Sequence, residues 1–84
     1  IDLVLAGNGK FYLVCNRVKK NWGGGSALDL LVSEDGGVTF NLLMRLEDRE
    51  GVEFSYPAIT ERDGVLHITY TYDREYIAYR QIKV

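Results

Sequence analysis

Cysteine, proline, histidine, methionine and tryptophan each occur once in these 84 residues. The single cysteine, Cys15, excludes an internal disulfide. Set in the apolar run FYLVC, it reads as a small buried hydrophobe rather than a reactive thiol. The single histidine, His67, has no second ligand at metal spacing, so no zinc or other metal site is expected. No apolar stretch approaches about 18 residues, which excludes a membrane-spanning helix. Charge of either sign is also unconcentrated. Ten Lys and Arg stand against twelve Asp and Glu, for a net charge of −2. Lys19 and Lys20 are a pair rather than a patch, and no nucleic-acid surface is expected. No segment carries a helical period. No secretory signal is legible, although a sequence opening at Ile1 leaves room for an earlier segment, and the compartment stays open. Without a disulfide or metal, a chain of this length buries only a modest core and is expected to gain stability from a partner.

What is present is strand signal. Hydrophobic residues make up 46% of the chain, enough for one small globular unit. Short runs rich in β-branched and aromatic residues cover 3–6, 11–16, 28–33, 38–46, 54–60, 65–72 and 76–84. Turn residues separate them: Asn8-Gly9, the glycine-rich 21–26, the octet 33–40, Asp63-Gly64 and 73–75. The stretch 47–53, EDREGVE, reads as a solvated loop, and Arg17, Arg45, Arg49 and Arg62 as loop charges. Leu66, Ile68, Tyr70 and Tyr72 alternate with His67, Thr69 and Thr71, which predicts one apolar and one polar face.

A repeat underlies the pattern. NGKFYLVCN at 8–16 aligns with DGVLHITYT at 63–71, an offset of 55 residues. Each copy is a turn pair, a spacer and an alternating strand, preceded by a short strand and followed by another. The expected architecture is all-β and blade-like, with a four-stranded unit at 1–50 and an incomplete, three-stranded unit at 51–84. A propeller leaves such a three-stranded last blade when an N-terminal strand closes its ring.

The octet SEDGGVTF is the most specific local signal. Asp35 can accept hydrogen bonds from the amides that follow it. Gly37 supplies a conformation that a side chain would oppose. Ser33 and Thr39 can bond across the mouth of the hairpin, and Phe40 can plug it. A calcium loop needs acidic ligands at alternating positions and a distant bidentate glutamate. Glu34 and Asp35 are the only acids in the octet, so the structural reading is preferred and no metal is expected.

Ser33-x-Asp35-x-Gly37-x-Thr39-Phe40 resembles the Asp-box, or bacterial neuraminidase repeat, of sialidase-like propellers. FSYPAI at 54–59, DGVLHITYTYDREYIAYRQI at 63–82 and LVCN at 13–16 are also similar to the C-terminal end of bacterial sialidase-family proteins. The resemblance implies about two blades of a six-bladed β-propeller. It implies that the box is a structural turn on the outer rim, away from substrate. For family members that hydrolyse sialosides it implies a tyrosine nucleophile paired with a glutamate, an aspartate acid/base, and arginines gripping the sugar carboxylate. Those groups come from several blades, so the 84 residues alone are expected to be inactive.

Onto this chain the resemblance carries over only in part. Where relatives have Arg in the loop before the box, Gly23-Gly24-Gly25-Ser26 stands here. The nucleophile's slot falls on Phe54. Tyr56, two residues on, shares its face if the strand is regular, so Tyr56 is the catalytic candidate, although a packed or rim tyrosine is the preferred reading. Arg17, Trp22, Phe54, Ser55 and Tyr56 are the candidate sugar contacts. No cofactor is implied. Two classes of function stay open: a sialidase or related glycoside hydrolase to which this chain gives one wall, and a non-catalytic glycan-binding or structural module that assembles as an oligomer, a trimer of two-blade units being favoured.

Overall fold

A computed structural model describes residues 1–16 and 27–84. Among them are seven strands and no helix: β1 (Asp2–Leu5), β2 (Phe11–Cys15), β3 (Ala27–Ser33), β4 (Asn41–Asp48), β5 (Phe54–Arg62), β6 (Val65–Tyr72) and β7 (Tyr76–Lys83). They form two antiparallel meanders, a four-stranded sheet β1-β2-β3-β4 and a three-stranded sheet β5-β6-β7.

The turns follow from local chemistry. At Asn8-Gly9 the Asn8 carboxamide accepts the Lys10 amide at 2.9 Å, and Gly9 takes a φ of +87°. At 63–64 the Gly64 amide donates to Glu61. The octet spans the β3–β4 connection. Strand β4 starts at Asn41 rather than near 38, because the Val38 and Thr39 amides are bonded to Asp35 and cannot join a ladder.

The core lies between the two sheets. Tyr12, Val14, Leu28, Leu30 and Leu46 of the first sheet meet Phe54, Ile59, Leu66, Ile68 and Tyr70 of the second. The β6 alternation is realised: Leu66, Ile68 and Tyr70 are buried, while His67, Thr69 and Thr71 look outward beside β7 residues Ile77, Tyr79 and Gln81. Side-chain bonds join the sheets as well. Asp2 accepts the Ile59 amide at 2.9 Å, and the Asn16 carboxamide donates to the carbonyls of Ala27 and Phe54. Tyr70 donates to Glu47 of β4 at 2.5 Å and accepts from Arg80 of β7 at 3.2 Å.

The two sheets use opposite faces for this contact. In the 55-residue repeat, Phe11, Leu13 and Cys15 correspond to Leu66, Ile68 and Tyr70, and Tyr12 and Val14 to His67 and Thr69. The first sheet buries its Tyr12/Val14 face against the second, whereas the second buries its Leu66/Ile68/Tyr70 face. The outer face of the first sheet therefore carries Leu3, Leu5, Phe11 and Leu13 beside Ser33 and the Asp29–Arg45 pair, with Leu3 and Leu5 about half exposed. The outer face of the second is threonine-rich and polar, so the two flanks are not alike.

One charged pair sits within the first sheet. Asp29 has no exposed surface and receives two bonds from Arg45, Nε to Oδ1 at 2.7 Å and Nη2 to Oδ2 at 3.0 Å. Arg45 is thus not a loop charge. It lies in β4, and the carboxylate it meets raises its pKa further. Register shifts between Leu28 and Asp29 and between Leu30 and Leu31 accompany the pair.

Candidate functional site

The connections sort to two ends of the sheets. One end carries Asn8-Gly9, the octet and Asp63-Gly64. The other carries the 49–53 linker, the start of β5 and the 73–75 turn.

At the first end the octet is closed on itself. Asp35 Oδ1 accepts the Ser33 hydroxyl at 2.8 Å, the Val38 amide at 3.1 Å and the Thr39 amide at 2.9 Å. Its Oδ2 accepts the Thr39 hydroxyl, and Ser33 Oγ accepts the Gly37 amide at 2.8 Å. Gly36 and Gly37 have φ values of +77° and +92°, and Phe40 is half-buried. The Thr39 bonds, then that of Ser33, bring the Asp35 pKa down to about 2. Both carboxylate oxygens point into the turn. Among the described residues, no group of three or more His, Cys, Asp or Glu is placed to hold a metal.

The second end gathers exposed tyrosines and arginines. Between Ser55 and Ala58 the β5–β6 register shifts, and Tyr56 lies in this bulge with a φ of +52°. That left-handed conformation is unusual for a bulky residue, and more so before Pro57. It turns the Tyr56 side chain away from the face Phe54 occupies. Phe54 is wholly buried, its ring edge-on to Tyr72 at 5.1 Å, while Tyr56 is 85% exposed. The expectation that the two share a face is overturned, because the bulge breaks the two-residue alternation. Ser55 is half-buried, and its hydroxyl oxygen is enclosed without a hydrogen-bond partner among the described residues.

The β6–β7 hairpin turn, closed by the Glu75 amide on the Tyr72 carbonyl, also takes positive φ, as two-residue hairpin turns do. Asp73 and Arg74 have φ values of +49° and +58°. Arg74 pairs with Glu53 at 3.1 Å, and its side chain is 80% exposed. The Arg49 guanidinium donates to the Tyr72 hydroxyl at 2.8 Å, and Tyr72 stacks on Tyr76 with ring centroids 4.9 Å apart and planes 9° from parallel. The pKa of Arg74 is raised chiefly by its bond to Glu53, and that of Arg49 by its bond to Tyr72. Both arginines remain cationic at any physiological pH. Of the sugar-contact candidates, Arg17 and Trp22 lie outside the described residues. Tyr56 is open to solvent, and Phe54 offers no surface. Arg49, Arg74, Tyr72 and Tyr76 are additions to the candidates: the sequence reads Arg49 as a loop charge, Tyr72 and Tyr76 as strand residues and 73–75 as a turn.

Two stacked antiparallel meanders, joined face to face and carrying a closed aspartate turn, define a bladed protein of the propeller type. The BNR repeat-like domain model matches residues 1–68. The chain belongs to this BNR repeat-like family, whose repeats form propeller blades, and its two sheets are two such blades. No curated protein and no solved structure matches the chain.

Proposed function

We propose that the chain supplies one wall of a carbohydrate site in a sialidase-like, glycan-active propeller. The observation that carries this reading is Tyr56, held 85% exposed by a left-handed bulge. Strained backbone of this kind costs about 1–3 kcal/mol per residue and collects at ligand sites. Tyr56, Arg74, Arg49 and the stacked Tyr76 offer an aromatic surface and cations at one end of the blades. That combination suits a sugar bearing a carboxylate. In this reading the 84 residues bind without turnover, since the acid/base and most of the arginines belong to other blades.

A titration of the 84-residue chain with a sialoside, followed by two-dimensional NMR, tests the proposal. Shifts centred on Tyr56, Arg74 and Tyr76, weakened in Tyr56→Ala, are expected. A fluorogenic sialoside should show no turnover. Absent shifts at millimolar sialoside would defeat the binding reading, and robust turnover lost in Tyr56→Phe would defeat the claim of inactivity.

A second reading, a non-catalytic module that assembles with copies of itself, is favoured by the exposed Leu3 and Leu5 flank. By the repeat, that flank is the counterpart of the face the second sheet buries. Three two-blade units in head-to-tail order would close a six-bladed ring. Light scattering over a dilution series separates the cases, and a monomer of 9.5 kDa at every concentration removes this one.

A further inference from the structure

The left-handed conformation of Tyr56 needs a cause. Glycine takes a φ of +52° freely, and tyrosine does not. Such a conformation persists only where the surrounding structure over-determines it. Strand β6 does not do so alone. Its ladder with β5 passes from Ser55, opposite Thr71, to Ala58, opposite Thr69, so Tyr56 and Pro57 together stand opposite Tyr70. Pro57 also has no amide hydrogen to give to a neighbour.

The remaining restraint comes from the other sheet. Strand β5 runs beside β1 and β2, and each end of the bulge is gripped by a side chain of the first sheet. Before the bulge, Asn16, the residue after β2, donates to the Phe54 carbonyl at 2.8 Å. After it, Asp2 of β1 accepts the Ile59 amide at 2.9 Å. Asn16 is itself fixed. The same Nδ2 donates to the Ala27 carbonyl at 2.9 Å, so both of its hydrogens are engaged. The Phe54 ring is wholly buried, edge-on to Tyr70 and Tyr72. The spacing of the two grips is set within the first sheet, where Asp2 stands opposite Val14, two residues before Asn16. The span 55–58 between these fixed points holds one residue more than the ladder can seat, and Tyr56 is turned out to solvent.

We propose that Asp2 and Asn16 are positioning residues for Tyr56. The first sheet, through one acceptor and one donor, sets the geometry of a site carried by the second. Both side chains act through the β5 backbone rather than by touching a ligand. Tyr56 therefore stands in its exposed geometry only while the two sheets are docked, and any shift between them reaches the site directly. The bearing on ligand rests on Tyr56 meeting a sugar, the function proposed above.

The test uses the 84-residue chain and NMR. A positive φ gives a strong cross-peak between a residue's own amide and Hα, which for Tyr56 reads the bulge with no ligand present. Asn16→Ala removes the donor and Asp2→Ala the acceptor. Each should weaken the Tyr56 cross-peak and weaken sialoside binding by about fivefold, what one typical hydrogen bond contributes. Asp2→Asn keeps an acceptor oxygen and should restore both readouts. Asp35→Ala is the control: it loosens the fold at the other end of the sheets and should leave the Tyr56 cross-peak as in the wild type. Unperturbed β6 amides verify folding, and if one variant unfolds the other decides. The assignment is overturned if the cross-peak persists in the folded variants, if Asp35→Ala weakens it equally, or if it weakens while sialoside affinity stays unchanged. If the wild type binds no sialoside, the carbohydrate reading fails, and the cross-peak by itself still decides whether Asp2 and Asn16 hold Tyr56.

Discussion

Replacing Arg45 by Met should be among the most damaging single changes in the first sheet. Asp29 is wholly enclosed, and Arg45 supplies it with two charge-assisted bonds. Removing one member of a buried pair typically costs about 3–5 kcal/mol, because a charge stays behind in a medium that solvates it poorly. The Arg45 side chain is itself 28% exposed, and water can partly replace it, so about 3 kcal/mol is expected. A domain of this size has a total stability of roughly 4–12 kcal/mol. One kcal/mol moves its melting midpoint by about 4–8 °C, so a fall of about 12–24 °C is predicted. The double variant Asp29→Leu/Arg45→Met removes both charges together. It should recover most of the loss, since apolar replacement of a complete pair is often close to neutral. The assay is a double-mutant cycle by urea unfolding, in which the coupling between the two positions should reach about 2–3 kcal/mol. If Arg45→Met alone costs under 1 kcal/mol, or if the double variant is no better than the worse single one, the pair does not hold β3 and β4 in the manner described.

Asp35 predicts a pH response. Its folded pKa of about 2 lies below the ordinary carboxylate value, so its stabilisation is present above about pH 4 and is lost as pH falls toward 2. The midpoint should drop over that window by more in the wild type than in Asp35→Ala, and calcium should leave both unchanged; equal acid slopes would refute the assignment. Tyr56→Gly should leave the midpoint unchanged or raise it, because relief of a φ of +52° offsets the usual cost of glycine in a strand, about 0.5–1 kcal/mol. A loss above 1 kcal/mol would show that Tyr56 is not strained.

Legibility in the sequence tracked how local each determinant is. The β6 faces were legible because Leu66, Ile68 and Tyr70 keep a strict period of two. The octet was legible because its bonds span at most four residues. The Tyr56 bulge was not, since the segment around Pro57 is compatible with a regular edge strand, and only pairing with β6 shows that one residue is extra. Asp29 and Arg45 escaped notice for a different reason: they are 16 residues apart, and a bulge shifts the register between them. The one available signal was an acid inside the otherwise apolar ALDLLVS, which calls for a cation on a neighbouring strand.

The opposite-face contact of the two sheets has a consequence for how such a chain can grow. Each sheet carries both halves of one joint, a face that receives a neighbour and a face that inserts into one. A duplicated sheet therefore arrives with its contact surface already made, and gene duplication can lengthen the array without inventing an interface. Drift afterwards acts on each copy separately. That is how a valine-bearing face in one sheet can stand as a histidine and threonine face in the next while the packing between the two survives.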